Sequence, residues 1–250
     1  MSALRLLVSV IDGAEALQAV DGGAHIVDAK NPREGSLGAN FPRVIKQIRS
    51  AMPDRVEVSA TIGDLPNLPG TASLAALGAA ASGAHYVKAG LFGVRTIAES
   101  TTLLKEICTA VKDYDAKVKV IAAGYADYKE VMSVNPLDLP AVAYKAGADG
   151  VMVDTKLKDR GGLFDSMNDE ELREFVGRAH AHGLIVALAG SLRRQDVERV
   201  HELGADVIGV RRAVCVQDDR LEPGISKGAV SSFVGSMKSC GATGYVVTRV

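Results

Sequence analysis

"GGAHIVDAK", residues 22–30, returns three times in altered form: "SGAHYVKAG" at 82–90, "AGADGVMVD" at 146–154 and "LGADVIGVR" at 203–211. Each copy opens on a Gly-Ala pair and runs on as a short apolar stretch. Glycine takes up the left-handed turn that closes a helix at little cost, so each phrase predicts a helix end followed at once by a strand. Four copies predict an internal period.

Between the copies lie four other apolar runs: "LRLLVSV" at 4–10, "RVEVSATIG" at 55–63, "VKVIAAGY" at 118–125 and "LIVALAG" at 184–190. Segments of helical character follow them, most clearly 97–114 and 168–183, where apolar residues recur at spacings of three and four. The order reads as a βα unit repeated eight times. Near-continuous apolar strands alternating with amphipathic helices form a parallel sheet covered by helices, and an even, repeating set of units favours closure into a (β/α)8 barrel, the TIM-barrel architecture. No G-x-G-x-x-G follows the first run, so an open dinucleotide-binding sheet gains no support. No linker divides the chain, and one barrel domain over residues 1–250 is expected. "GDLPNLPGTAS", 63–73, reads as a long loop after the third strand.

Aligning the four phrases as the even strands predicts three inward layers. Ile26, Tyr86, Gly150 and Val207 form the deepest; Asp28, Lys88, Met152 and Gly209 come next; Lys30, Gly90, Asp154 and Arg211 lie outermost. Polarity therefore rises toward the C-terminal mouth, the face on which barrel enzymes carry their chemistry. An unpaired charge in low dielectric costs several kcal/mol, so Lys30 and Lys88 need acids beside them, and Asp28 and Asp154 are the candidates. Salt bridges that merely close the barrel are the plainer explanation of any one pair. Two lysines, two acids and an arginine at one end favour a site. Burial lowers a lysine pKa and a neighbouring carboxylate raises it, so one lysine of such a cluster suits nucleophilic attack while another exchanges protons. Lys88 and Asp28, neighbours in one layer, are expected to share a proton. Lys158, on the loop after the sixth strand, is placed to reach inward, whereas Lys156 reads as a solvated loop charge.

The seventh and eighth strands end in "LAGSLRR" and "GVRRA". Gly190, Ser191, Gly209 and Arg211 there suit the phosphate site of barrels, with helix starts behind them adding backbone N–H groups and the helix dipole. Histidines lie away from the strand ends at the mouth, so no metal ligands are assigned, and no G-x-S-x-G elbow is present. Amines and carboxylates acting on a phosphorylated carbonyl compound remain.

Composition agrees without being specific. The 250 residues are 47% hydrophobic, enough for a sizeable core, and 29 basic residues against 30 acidic ones give no bulk field for nucleic acid or an anionic membrane. The three cysteines, Cys108, Cys215 and Cys240, are widely spaced and fit a reducing compartment. The apolar stretch before Asp12 is too short for a signal or a membrane span, so a cytoplasmic protein is expected.

The stretches "DAKNPREGSLGANFP", "VSATIGDLPNLPGTASLAALGAAASGAHYVKAGLFG", "VIAAGYADY", "DTKLKD" and "ALAGSL" together closely resemble the (5-formylfuran-3-yl)methyl phosphate synthase family, also called 4-(hydroxymethyl)-2-furancarboxaldehyde phosphate synthases. The likeness fades beyond about residue 220. It implies a cofactor-independent lyase that condenses two molecules of glyceraldehyde 3-phosphate into a phosphorylated furan aldehyde, for methanofuran biosynthesis in one-carbon metabolism. On the family's D-x-K-N-P motif the Schiff-base lysine falls on Lys30 and its acid on Asp28. The acid–base lysine of K-x-G-L-[FY]-G falls on Lys88, and D-T-x-x-K-D places its acid and second lysine at Asp154 and Lys158. A Schiff-base aldolase or a triose-phosphate isomerase-like barrel of different product is the alternative, and a non-catalytic phosphate-binding barrel stands outside enzymes altogether. Expected partners are a phosphorylated triose and further copies of the chain.

Overall fold

The computed structural model describes residues 3–217 and 224–242. Chain order is β1 (Arg5–Val10), α1 (Gly13–Asp21), β2 (Ile26–Ala29), α2 (Pro42–Ala51), β3 (Glu57–Pro66), α3 (Pro69–Ala81), β4 (Tyr86–Gly93), α4 (Ile97–Tyr114), β5 (Lys119–Tyr125), α5 (Tyr128–Val131), α6 (Leu139–Ala146), β6 (Gly150–Asp154), α7 (Leu163–Ser166), α8 (Asp169–Ala181), β7 (Ile185–Leu188), α9 (Val197–Glu202), β8 (Val207–Val210) and α10 (Lys227–Ser239). The strands close into a parallel barrel in sequence order, with β8 returning to pair with β1.

The repeated phrase has a physical basis at every position. Gly23, Gly83, Gly147 and Gly204, the glycines of its four Gly-Ala pairs, all stand at positive φ, between 80° and 100°, just past a helix. A side chain there would be strained, and the turn aims the chain into the barrel. The residue after each pair then serves the strand before it. His25 Nδ1 accepts from the Leu6 amide at 3.0 Å and His85 Nδ1 from Val58 at 2.8 Å. Asp149 Oδ2 accepts from Val120 at 2.7 Å and Asp206 Oδ2 from Val186 at 2.9 Å. Four amides at the bottom of the barrel are thus satisfied by one repeated position.

Two apolar regions divide the interior. One lies between the strands and the helical shell, and a smaller one fills the barrel with Leu7, Ile26, Tyr86, Ile121, Met152 and Val207 among others. Alternation along each strand separates them, because successive side chains point to opposite faces. Helices 97–114 and 168–183 form as α4 and α8, each opened by a capping box, at Thr96–Glu99 and Asn168–Glu171. No helix among the described residues is long and apolar enough to cross a membrane.

The expected long loop at 63–73 does not form. Asp64 and Pro66 still pair with Gly90 and Gly93 on β4, with register shifts on either side of Asp64, and α3 starts at Pro69. Both strands overrun the barrel rim and pair there, so their backbone groups bond to each other rather than to water. Proline at a helix start costs nothing, because its missing N–H has no intrahelical partner there.

Among the described residues after 220, α10 adds to the helical shell. Residues 218–223 and 243–250 lie outside the described residues, but α10 packs on α1 so closely that a Cβ on Gly22 would fall 2.5 Å from Val230 Cβ. Glycine is required at that crossing.

Candidate active site

The outer two layers converge as the phrase alignment predicts. Lys88 Nζ donates to Asp28 Oδ2 at 2.8 Å, and Ser9 Oγ donates to the same oxygen at 2.9 Å. Asp28 and Lys88 are both buried. Burial by itself would raise the Asp28 pKa, but the charges of Lys88 and Lys30 outweigh it and hold the carboxyl below its usual range. Asp28 is therefore the accepting carboxylate of these two contacts.

Lys30 Nζ stands 3.8 Å from Asp154 Oδ2, an electrostatic contact beyond hydrogen-bond reach. Burial is the main influence on this amine. Asp154 opposes it, Lys158 and Lys88 reinforce it, and the outcome is a pKa brought down from 10.5 to about 8. Asp154 is held at about 2, because Lys158 and Lys30, helped by the Thr155 amide, overcome the burial that would raise it. Lys158 Nζ donates to Asp154 Oδ1 and, at 3.2 Å, to Thr155 Oγ1. Lys158 thus reaches inward from its loop, as its place after β6 suggests.

An open pocket at the C-terminal mouth is lined by Lys30, Asp154 and Lys158 together with Gly190, Ser191, Gly209 and Arg211, and also by Ser9, Leu192 and Arg212. All four residues assigned to phosphate share this pocket with the amines of Lys30 and Lys158. Gly190 has φ 114° and Ser191 φ 54°. A non-glycine residue at positive φ is uncommon and marks a turn held by its surroundings. The helix starts expected behind this rim are weaker than anticipated. A three-residue 3-10 turn follows β8, and α9 begins only at Val197.

Arg211 faces the pocket, but its guanidinium is also engaged behind it. Nη1 donates to Glu15 Oε2 at 2.7 Å and to the Ser9 carbonyl at 3.0 Å, while Nη2 donates to Glu15 Oε1 at 3.2 Å. Glu15 in turn accepts from the amides of Ile11 and Gly224. The pair is buried, so its arginine is fixed in place rather than mobile. Glu15 escapes a reading of strand ends because it sits on a helix, three residues after its cap, Asp12.

Lys156 departs from expectation. Its amine lies 3.1 Å from Asp64 Oδ2 and 5.0 Å from the centre of the Phe92 ring, not out in solvent. Asp64 is not among the candidate residues of the sequence, because it falls in the stretch 63–73 that reads as a loop. An acid at the end of an apolar run, as with Asp28 and Asp154, was the available signal.

The chain matches the family model described as 4-HFC-P synthase over residues 6–234, so the likeness continues past residue 220 into α10. It is 51% identical to the (5-formylfuran-3-yl)methyl phosphate synthase of Methanopyrus kandleri, over 92% of this chain and 95% of that one. It is 54% identical to the enzyme of that name from Methanosarcina acetivorans, over 87% and 93%. Among solved structures it resembles KGPDC from Streptococcus mutans, with a TM-score of 0.65 at 16% identity over 96% of this chain and 99% of that one. It likewise resembles phosphoribosyl anthranilate isomerase from Thermotoga maritima, with a TM-score of 0.64 at 16% identity over 94% and 99%. At such identities these two likenesses concern the fold alone.

Proposed function

We propose, for a chain that belongs to the 4-HFC-P synthase family, that it makes the phosphorylated furan aldehyde its relatives are named for, from two molecules of glyceraldehyde 3-phosphate, through a Schiff base on Lys30 and without a cofactor. The observation that carries this reading is one amine, Lys30, brought to about 8 in a pocket whose rim is cationic. A free amine near neutral pH is what imine formation needs.

The chemistry divides among the residues present. One triose must become a ketone, which calls for a base to move a proton beside the carbonyl. Lys30 then condenses with that carbonyl, losing water, and the imine acidifies the adjacent carbon. The resulting enamine carbon attacks the aldehyde of the second triose, forming the new carbon–carbon bond. Lys88, held by Asp28, returns and removes protons. Lys158 and Asp154 flank the same amine and serve the dehydrations. Loss of one inorganic phosphate and of two molecules of water, with release of Lys30 by hydrolysis returning the water lost in forming the imine, leaves an aromatic ring that keeps the other phosphate. No electrons enter or leave.

Incubating the purified protein with glyceraldehyde 3-phosphate alone should generate furan absorbance and inorganic phosphate in equal amounts, unaffected by prior dialysis against a chelator. A hexose bisphosphate or dihydroxyacetone phosphate as sole product would instead mark an aldolase or an isomerase. Failure of borohydride to trap any substrate would leave a phosphate binder. The same reading sets the enzyme in methanofuran biosynthesis, acting on free trioses in the cytoplasm, with self-association open to light scattering.

A second expectation concerns the anion. Gly190, Ser191, Gly209 and Arg211 are assigned to a substrate phosphate. Arg211→Ala alone removes that contact and also strands buried Glu15, so it should raise KM and lower thermal stability together. Adding Glu15→Ala should restore much of the stability while KM stays high by about tenfold or more, the worth of one charge-assisted contact. A double variant with the original KM would remove Arg211 from the phosphate site.

A further inference from the structure

Leu37 belongs to the loop between β2 and α2, yet it is fully buried inside the barrel with Tyr86, Ile121 and Tyr125. A loop side chain that enters a barrel must be held there against the entropy of its own segment. Thr61 Oγ1 donates to the Gly38 carbonyl at 2.6 Å, and Ser36 Oγ to the Thr155 carbonyl at 2.6 Å. The densest anchorage is the Asp64 carboxylate. Oδ2 accepts from the Ser36 amide at 2.9 Å and faces Lys156 Nζ at 3.1 Å, while Oδ1 accepts from the Leu37 amide at 3.3 Å and from Tyr125 Oη at 2.5 Å. Donors from three separate segments thus meet on one half-buried acid of β3, whose side chain is 6% exposed.

Glycines leave the room for it. A Cβ on Gly35, at φ 136°, would fall 2.2 Å from Asp64 Oδ2; one on Gly90 would meet Tyr125 Oη at 2.4 Å and Leu37 Cδ1 at 2.9 Å. The open pocket, meanwhile, takes its described lining from β1, from Lys30 and from β6, β7 and β8 with their loops, and none from β3, β4 or β5. Lys88 and Asp28 do not line it.

We propose that Asp64 is a positioning residue, latching the loop after Lys30 across the β3–β5 half of the barrel mouth so that Leu37 keeps water off Lys88, Asp28 and the inner side of Lys30. Access then runs from the β6–β8 side only. This concerns the hydration of an amine and holds whichever reaction the amine performs.

The test is competitive acetylation of the folded protein with acetic anhydride from about pH 6 to about pH 11, the range spanning shifted and ordinary lysines, with the peptide carrying Lys30 followed by mass. No substrate is involved, so failure here is separable from failure of the proposed reaction. In the unaltered protein Lys30 should be half-reactive near about 8. In Asp64→Asn, and independently in Leu37→Gly, the midpoint should rise by about one unit or more toward the ordinary value, a roughly fivefold or greater loss of reactivity at pH 8. The sign discriminates, because removing a carboxylate charge by itself lowers a nearby lysine pKa, whereas admitting water raises it. The groups that face Lys30, namely Asp28, Lys88, Asp154, Lys158, Arg211 with Glu15, and Arg212, are unaltered in both variants. Thermal melting establishes that each variant is folded; should Asp64→Asn not fold, Leu37→Gly decides. A folded variant whose midpoint stays near 8 or falls overturns the proposal.

Discussion

Lys30→Arg will lose the borohydride-trapped substrate adduct and lower furan formation by about 10⁴-fold or more, because arginine stays protonated at any working pH and cannot form the imine. The substitution keeps a cation opposite Asp154, 3.8 Å away in the parent protein, so that acid is not left bare. The pH profile of the unaltered protein is the companion result. Only the free amine attacks, and burial lowers its pKa, so trapping should rise about tenfold per pH unit and level off near about 8. At pH 7 roughly a tenth of Lys30 is then free, against about one part in several thousand for a lysine at 10.5, a gain of about 300-fold. Trapped mass on the peptide of Lys158 or Lys88 in Lys30→Arg, at undiminished yield, would assign the imine elsewhere.

The second large effect is on proton transfer, and there the geometry dictates how the variant is built. Lys88→Ala would abandon Asp28, buried and ionised, at a cost of about 3–5 kcal/mol, enough to confuse catalysis with folding. Lys88→Met combined with Asp28→Asn keeps the volume and removes both charges, a replacement that buried pairs commonly tolerate. This double variant should fold, should still trap substrate on Lys30, and should lose furan formation by about 10²–10⁴-fold, the usual range for a missing acid–base group. Exchange of the substrate's carbon-bound hydrogen with deuterated water should fall in step. Exchange at the parental rate would show that another group moves the proton, with Lys158, on Asp154, the nearest candidate.

The amino-acid sequence by itself determined the barrel, the order of its strands and the contents of its polar layers. Its repeat encodes local requirements: a left-handed glycine after each helix, an acceptor for the amide of the preceding strand's second residue, and then strict alternation across a strand. Local requirements of that kind are satisfied by neighbours in the chain or by the adjacent strand, so aligning four phrases suffices to bring Asp28 to Lys88 and Lys30 to Asp154. Tertiary structure alone decided the rest. Arg211 meets Glu15 and Asp64 meets Tyr125 across long stretches of chain, through side chains whose reach depends on how far β3 and β4 overrun the rim and how deeply one loop enters the barrel. Such contacts leave no period to read, because they arise where loops of unequal length pack against each other. Lys156 shows the difference at a single residue: judged by its loop it should be in water, yet a carboxylate on a strand three positions away around the barrel takes its charge.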